Sequence, residues 1–480
     1  MIEPVNFSPQ VAQSLLDIEQ FTFMGIVLAL VALMWTDLSD SFSGLSAPGK
    51  MFGTVAFLFM LGWMIPGLGI EGIPLAVALT SGVALSTLSP GFGLCFFIAT
   101  LLLRPWEIQT TNSVFLALPR MTAIAMMVGW MRHAARARAI RFRFGTEEIL
   151  LAAFGVWTYV TAFMAPNWVE SSQVFVQQFS RALIVFFLVL QLLRTPRDLR
   201  ALGAVIGISG MALATLSAYR LGWDPATAHR LRAELFGLLG DPNDLSAILL
   251  LSLPFVLREV SLLPLGKLTR WTIAIFMMTL SVGVIMATQS RGALVGLLAA
   301  LLAAGVLRVR NQRQVIALLG VLAVAGVVLF TTLRRSDEDL VASKASRIAY
   351  WSAGVDMAIR SPIWGVGFGG YPYRFAEFVD ASVAEAGLRT AHSIWVLALA
   401  ETGFVGFGLL LALFAIATRY AWQMRKEEPH LMPALVGYGA AASFLSHTYL
   451  VQPYLLLAFI FAAAGLREES DAPRHSQNQT

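Results

Sequence analysis

The chain reads as long apolar runs separated by short, polar, arginine-bearing connections. Candidate runs lie at roughly 21–35, 51–70, 73–89, 92–105, 115–131, 148–165, 174–193, 200–220, 244–262, 270–288, 292–309, 314–333, 393–421, 431–447 and 451–466. Continuous apolar runs, rather than two-residue alternation, predict helices. A bilayer-spanning helix needs roughly 20 mostly apolar residues, so the shorter runs read as half-spans and about 12 to 14 true spans are expected. Lipid admits only helices and closed barrels, because each backbone polar group must find an internal partner. The predicted fold class is therefore all-α, a polytopic membrane helix bundle.

One long hydrophilic stretch interrupts this pattern, from about Arg334 to Ala391. Its seven basic residues balance its seven acids, so it reads as neither a basic nor an acidic tail. Within it, Ile348, Trp351, Val355 and Ile359 recur at helical spacing. Asp356 and Arg360 are placed as i,i+4 partners, and Pro362 stops the helix. The expectation is an amphipathic helix lying on a membrane–water interface.

Composition strengthens the membrane assignment. The 480 residues are 57% hydrophobic and 13% charged, against about 25% charged in soluble domains. Mean hydropathy is +0.71. The net charge of +5 does not indicate a nucleic-acid partner, because most of it is arginine in short inter-helix loops. Basic loops mark the cytoplasmic side. The acid-free stretch "RHAARARAIRFRFG" goes inside, and the loops at Arg194–Arg200, Arg258–Arg270, Arg308–Arg313 and Arg419–Lys426 then also fall inside, with the tail from Arg467. The 334–391 stretch becomes an outer loop. Residues 1–20 carry Glu3, Asp17 and Glu19 and no base, so the first apolar segment is expected to be retained as a helix. The expected organisation is N-terminal membrane helices over 1–147, central ones over 148–333, the outer loop over 334–391, C-terminal helices over 392–466 and a cytoplasmic tail over 467–480.

This topology leaves arginines on the outer face: Arg181 in "QQFSRALIV", Arg230 and Arg232 in "HRLRAELFGLLGDPNDL", Arg291 in "TQSRGALVG", and Arg347 at the start of the amphipathic helix. A charge at the edge of a span is costly unless it is paired or functional. Any one of these arginines could instead reach water along its own stem. Arg291 and Arg347 together favour an anion, because the guanidinium fork suits phosphate. At "GDPNDLSAILLLSLP", Asn243 or Asp244 reads as a helix N-cap, and Asn243 or Asp241 alternatively as a cavity-lining residue. The glycines of "WGVGFGGYPYRF" read as tight turns rather than a nucleotide loop, since no strand precedes them. The acidic run "SDEDL" reads as solvated loop. The lone Cys95 and scattered histidines offer no metal-ligand spacing, so no metal and no cofactor is expected. His392, in "RTAHSIWVLALAETG", is the one outer-face histidine fixed at the start of a span. It is either a structural helix-start residue or a proton acceptor at neutral pH. Glu401, inside the same span, needs a partner.

The motifs "GDPNDLSAILLLSLP", "TQSRGALVG", "SRIAYWSAGVDMAIRSPIWGVGFGGYPYRF" and "AHSIWVLALAETGFVG", in this order over about 150–466, resemble the O-antigen ligase/polymerase superfamily of bacterial envelopes. The resemblance implies a glycosyltransferase of the bacterial inner membrane with its active site facing the periplasm. Its donor would be a glycan on undecaprenyl pyrophosphate, and its acceptor hydroxyl would belong to lipid A–core, a glycan or a protein. It implies active-site roles for Arg291, Arg347 and His392, with Ser393 standing where the family's common motif has asparagine. Arg232, Arg181 and Asn243 are expected as substrate-binding helpers. Two alternatives stand beside a ligase: a polysaccharide polymerase using the same site, and a transporter of lipid-linked sugars. A transporter should show repeated halves and charges near the bilayer midplane, whereas here the charges gather at one face and no repeat is evident.

Overall fold

In the computed structural model, residues 9–46, 73–104, 113–137, 144–223, 237–308, 337–380 and 389–476 are described, with scattered positions between them. Every regular element among the described residues is helical. In chain order these are α1 (Pro9–Ser43), α2 (Ile73–Ser86), α3 (Pro90–Leu103), α4 (Ser113–Ala137), α5 (Thr146–Ala162) and α6 (Trp168–Val174). A π-helical turn at Phe175–Phe179 leads into α7 (Ser180–Leu192), followed by α8 (Pro196–Trp223), α9 (Pro242–Leu262), α10 (Lys267–Ala287) and α11 (Arg291–Val306). After these come α12 (Asp337–Arg360), the short α13 (Tyr371–Arg374), α14 (Ile394–Gln423), α15 (Leu431–Ala442) and α16 (Val451–Ser476).

Seven described helices contain a stretch long and apolar enough to cross a membrane, and four shorter ones are also apolar. The chain is thus an all-α polytopic membrane protein. Of the expected runs, 51–70 and 314–333 lie almost wholly outside the described residues.

The chain forms two compact units, each discontinuous in sequence. The first comprises Met1–Phe142 and Gln191–Gln289. Small residues bring its helices close: an added Cβ at Gly207 would lie 3.2 Å from the Val256 backbone nitrogen, and one at Gly210 would strike Ser252, so α8 and α9 touch almost backbone to backbone. Asp198 accepts the Thr195 amide at 2.9 Å while Thr195 Oγ1 accepts the Asp198 amide at 3.2 Å, the reciprocal cap that starts α8. At α9 the cap is Asp241, not Asn243 or Asp244: Asp241 Oδ1 accepts both the backbone N–H of Asn243 at 2.8 Å and its side-chain Nδ2 at 2.7 Å. Pro242 at the first helical position fixes this geometry, because its missing N–H is one the helix would leave unpaired anyway.

The second unit comprises Arg143–Leu190 and Ser290–Thr480. The helix expected from the 348–359 spacing is present as α12, and it ends at Arg360, just before Pro362. It also begins earlier than expected: the acidic run at 337–340 is its first turn rather than a loop. The face α12 buries is made of Tyr350, Ala353, Met357 and Ala358, with Gly354 brought so close to α14 that an added Cβ would strike Val396. The apolar stripe of Ile348, Val355 and Ile359 faces outward, 40–63% exposed, uncovered by the rest of the unit. Arg360 lies over the Phe378 ring at 4.5 Å instead of pairing with Asp356.

Candidate active site

The central feature of the second unit is a break in α14. Gly403 takes φ +64° and ψ −171°, so the helix is interrupted one residue after Thr402. An interrupted helix leaves carbonyls and amides without their i,i+4 partners, and a buried unpaired group costs about 1–3 kcal/mol. Here three of these groups are taken up by specific neighbours. The Ala400 carbonyl accepts from Val366 N at 2.8 Å, the Thr402 carbonyl from Trp157 Nε1 at 2.8 Å, and Phe404 N donates to Pro362 O at 2.8 Å. Trp157 in turn stacks on Trp364, with centroids 4.7 Å apart and planes 10° from parallel. The glycine-rich stretch therefore crosses the broken helix. Gly365 and Gly403 both have positive φ, and a Cβ at either would collide with the other strand's backbone. The glycines do make tight turns, as expected; Gly365 closely approaches α14, whereas Gly367 and Gly369 closely approach Ala165 and Ser171.

Glu401 belongs to this crossing. Its side chain is 2% exposed, and Oε1 accepts the Tyr371 backbone N–H at 3.2 Å. The Tyr371 hydroxyl donates to the Tyr350 carbonyl at 2.6 Å. Burial, with Tyr350 and Glu401 nearby, pushes the Tyr371 pKa up, so the phenol stays a donor.

His392 stands at the other end of this half of α14. It adopts φ +46°, a left-handed conformation that costs a non-glycine residue about 1–3 kcal/mol. Its backbone N–H donates to Ser446 Oγ at 3.0 Å, and its ring lies 5.8 Å from that of Tyr350. Ser393 is the N-cap of α14, accepting the Val396 amide at 3.4 Å.

Ser446 is part of a turn, 443–449 ("SFLSHTY"), between α15 and α16, which the sequence reading did not single out. Ser443 Oγ accepts Trp395 Nε1 at 2.9 Å, and Thr448 Oγ1 donates to the Ile394 carbonyl at 2.9 Å. The Arg347 guanidinium lies over the Phe444 ring at 5.6 Å, and Trp351, one helical turn on, has its ring 5.9 Å from the same phenyl. Phe444 also packs on Gly292, where an added Cβ would lie 3.0 Å from the Phe444 Cβ. Gly292 directly follows Arg291, the first residue of α11, which Ser290 caps through the Ala293 amide at 3.2 Å. One turn thus joins the helix start bearing Arg291, the Arg347 side chain and the His392 backbone. The signal that could have exposed it is its run of small hydroxyl residues and aromatics at a helix–helix junction.

Of the three helpers, one is described in the second unit. Arg181 follows the π-helical turn and is exposed. It is two residues from the buried Phe179, whose ring meets that of Tyr449 at 5.2 Å, so the arginine does not share the phenylalanine's face. Asn243 lies in the first unit, beside the Asp241 cap. Arg232 lies outside the described residues, as do Arg230 and His229.

Two hollows frame the picture. The larger, about 890 Å³, is in the first unit, lined by polar residues including Asp37, Asp40, His133 and Arg197; one of its walls is the Thr195–Asp198 cap already described. The smaller, about 400 Å³, is an apolar groove of the second unit between α5 and α7, lined by Leu151, Tyr159, Phe175 and Phe186 among others. Phe175 connects the groove to the turn through stepwise ring contacts: 5.7 Å to Phe368, then 4.5 Å from Phe368 to Tyr449. Among the described residues no group of three or more His, Cys, Asp or Glu side chains is placed to hold a metal ion.

Residues 276–411 match the family model described as O-antigen ligase. The matched segment contains Arg291, Arg347, His392 and Glu401; the 443–449 turn, Arg181, Arg232 and Asn243 lie outside it. No curated protein matches the chain.

Proposed function

We propose, from the match of residues 276–411 to the O-antigen ligase family model, that the chain transfers a glycan from undecaprenyl pyrophosphate to an acceptor hydroxyl at the periplasmic face of the inner membrane. The observation that carries the reading is the convergence of Arg291, Arg347 and His392 on the 443–449 turn.

The donor is already activated, because pyrophosphate is a good leaving group. Arg347 and Arg291 bind its oxygens and offset the charge that grows as the anomeric C–O bond breaks, a form of electrostatic catalysis. The imidazole of His392 takes the proton from the acceptor hydroxyl as that oxygen attacks the anomeric carbon. The bonding pair of the broken bond leaves with undecaprenyl pyrophosphate. Direct attack inverts the anomeric configuration. The strained backbone of His392 fits this role, since strain persists where the surroundings over-determine a functional geometry. The apolar groove at Phe175 suits a polyprenyl tail, and the outward stripe of Ile348, Val355 and Ile359 suits a helix resting on the membrane surface.

The test is reconstitution of the full chain in liposomes with an undecaprenyl-pyrophosphate-linked oligosaccharide. Lipid A–core, a free glycan and a protein acceptor would be supplied in turn. Transfer with inverted anomeric configuration is expected. A single transferred chain identifies a ligase and a ladder of lengths a polymerase. Movement of the donor across the bilayer without transfer to any acceptor would overturn the reading.

A further inference from the structure

The transfer reaction makes no use of Glu401, yet its carboxylate is buried inside a membrane-crossing helix. A charge at such a place costs about 3 kcal/mol, so its retention calls for a reason. What distinguishes Glu401 is where its contacts lead. On one side, Oε1 holds the Tyr371 amide at 3.2 Å, the Tyr371 hydroxyl holds the Tyr350 carbonyl at 2.6 Å, and the Tyr350 ring lies 5.8 Å from the His392 ring. Phe375 closes this row, its ring 5.2 Å from Tyr350 and 5.9 Å from Tyr371. On the other side, the carboxylate lies beside the buried Tyr449 phenol and interacts with it. Burial first, and the Glu401 carboxylate second, push the Tyr449 pKa well up. Tyr449 ends the same 443–449 turn whose Ser446 anchors the His392 backbone. Glu401 therefore touches both supports of the histidine.

We propose that Glu401 is a positioning residue for His392: it ties the start of α13 to α14, and through Tyr371 it sets the register of Tyr350, whose ring fixes the plane of the imidazole. This rests on the reading of His392 as the base. The role requires an acceptor oxygen at Oε1 and a hydroxyl on Tyr371. It requires no proton transfer by Glu401 itself.

The test uses the full-length protein in liposomes with an undecaprenyl-pyrophosphate-linked oligosaccharide as donor. The variants are Glu401→Gln, Glu401→Ala, Tyr371→Phe and His392→Ala. Glu401→Gln retains an acceptor for the Tyr371 amide and should keep kcat within about threefold, whereas Tyr371→Phe and Glu401→Ala should lower kcat about tenfold or more with donor KM unchanged, the mark of a misplaced reacting group. If Glu401→Ala fails to fold, Tyr371→Phe, which removes only a hydroxyl, decides the matter. Wild-type kcat in Tyr371→Phe, or a loss shared between kcat and donor binding, overturns the proposal. His392→Ala separates the two claims. If it transfers normally, the assignment of the base fails; if it is inactive while Tyr371→Phe is normal, only the role of Glu401 fails.

Discussion

Ser446 Oγ accepts the backbone N–H of His392 at 3.0 Å, across 54 residues of sequence, while His392 holds φ +46°. The hydroxyl also donates to Thr390 Oγ1 at 2.9 Å, so one serine ties down both sides of the strained residue. Ser446→Ala removes both bonds. Leaving the amide unsatisfied should cost about 1–3 kcal/mol locally, and freeing His392 from its orientation should slow transfer about tenfold or more. Thermal unfolding and transfer rates on the same preparation check this, and the rate should fall further than the stability change alone explains.

The break in α14 makes a second, purely structural prediction. Gly403→Ala would place a Cβ against the Ile363 and Pro362 carbonyls in a left-handed conformation and should destabilise the second unit by about 2 kcal/mol or more. Gly408→Ala, in the same helix but with open space at its Cβ position, should be neutral or slightly stabilising. Paired melting curves in detergent compare the two; equal stabilities would contradict the crossing as described.

Trp157→Phe keeps an aromatic ring to stack on Trp364 but removes the Nε1 donor to the Thr402 carbonyl. The expected loss is about 1–3 kcal/mol of stability, for one buried acceptor left unpaired at the break. The melting temperature should fall in Trp157→Phe and much less in a phenylalanine substitution at an outward position such as Trp422→Phe.

Arg347→Lys retains the charge over Phe444 but not the planar fork. If the arginine grips pyrophosphate, transfer should fall about a hundredfold, as when an oxyanion donor is removed, with the melting temperature little changed. Titration with the lipid-linked donor should show weaker binding. A lysine variant with normal rates would assign Arg347 to packing alone.

Much of this was legible in the chain. Apolar runs declare the helices, and the spacing of Ile348, Trp351, Val355 and Ile359 locates α12 because an apolar stripe at helical spacing marks a helix, whether protein or lipid covers it. The covering is another matter: three of those four residues face outward, and the packed face carries the small residues Ala353, Gly354 and Ala358. In a membrane protein apolar and buried are not the same, since lipid receives an apolar face as readily as a neighbouring helix does. The break at Gly403 was hidden because its glycine sits inside a long, mostly apolar run read as one span, and Trp157, Val366 and Pro362, distant in sequence, make it tolerable. The Asp241 cap was misplaced by two or three residues, within the usual uncertainty of a helix end read from sequence. The 443–449 turn shows in the sequence only as hydroxyl residues and aromatics at a helix–helix junction; what they hold could not be read, because its serines serve backbone and indole groups some 50 residues away.

The central claim is that His392 is the proton acceptor for glycan transfer. The direct measurement is the rate of transfer from an undecaprenyl-pyrophosphate-linked oligosaccharide by His392→Ala, beside its donor binding and its melting temperature. The account predicts a folded protein that binds donor as the wild type does and transfers about 10²- to 10⁴-fold more slowly, the usual contribution of a general base. Transfer at the wild-type rate by that variant would contradict it.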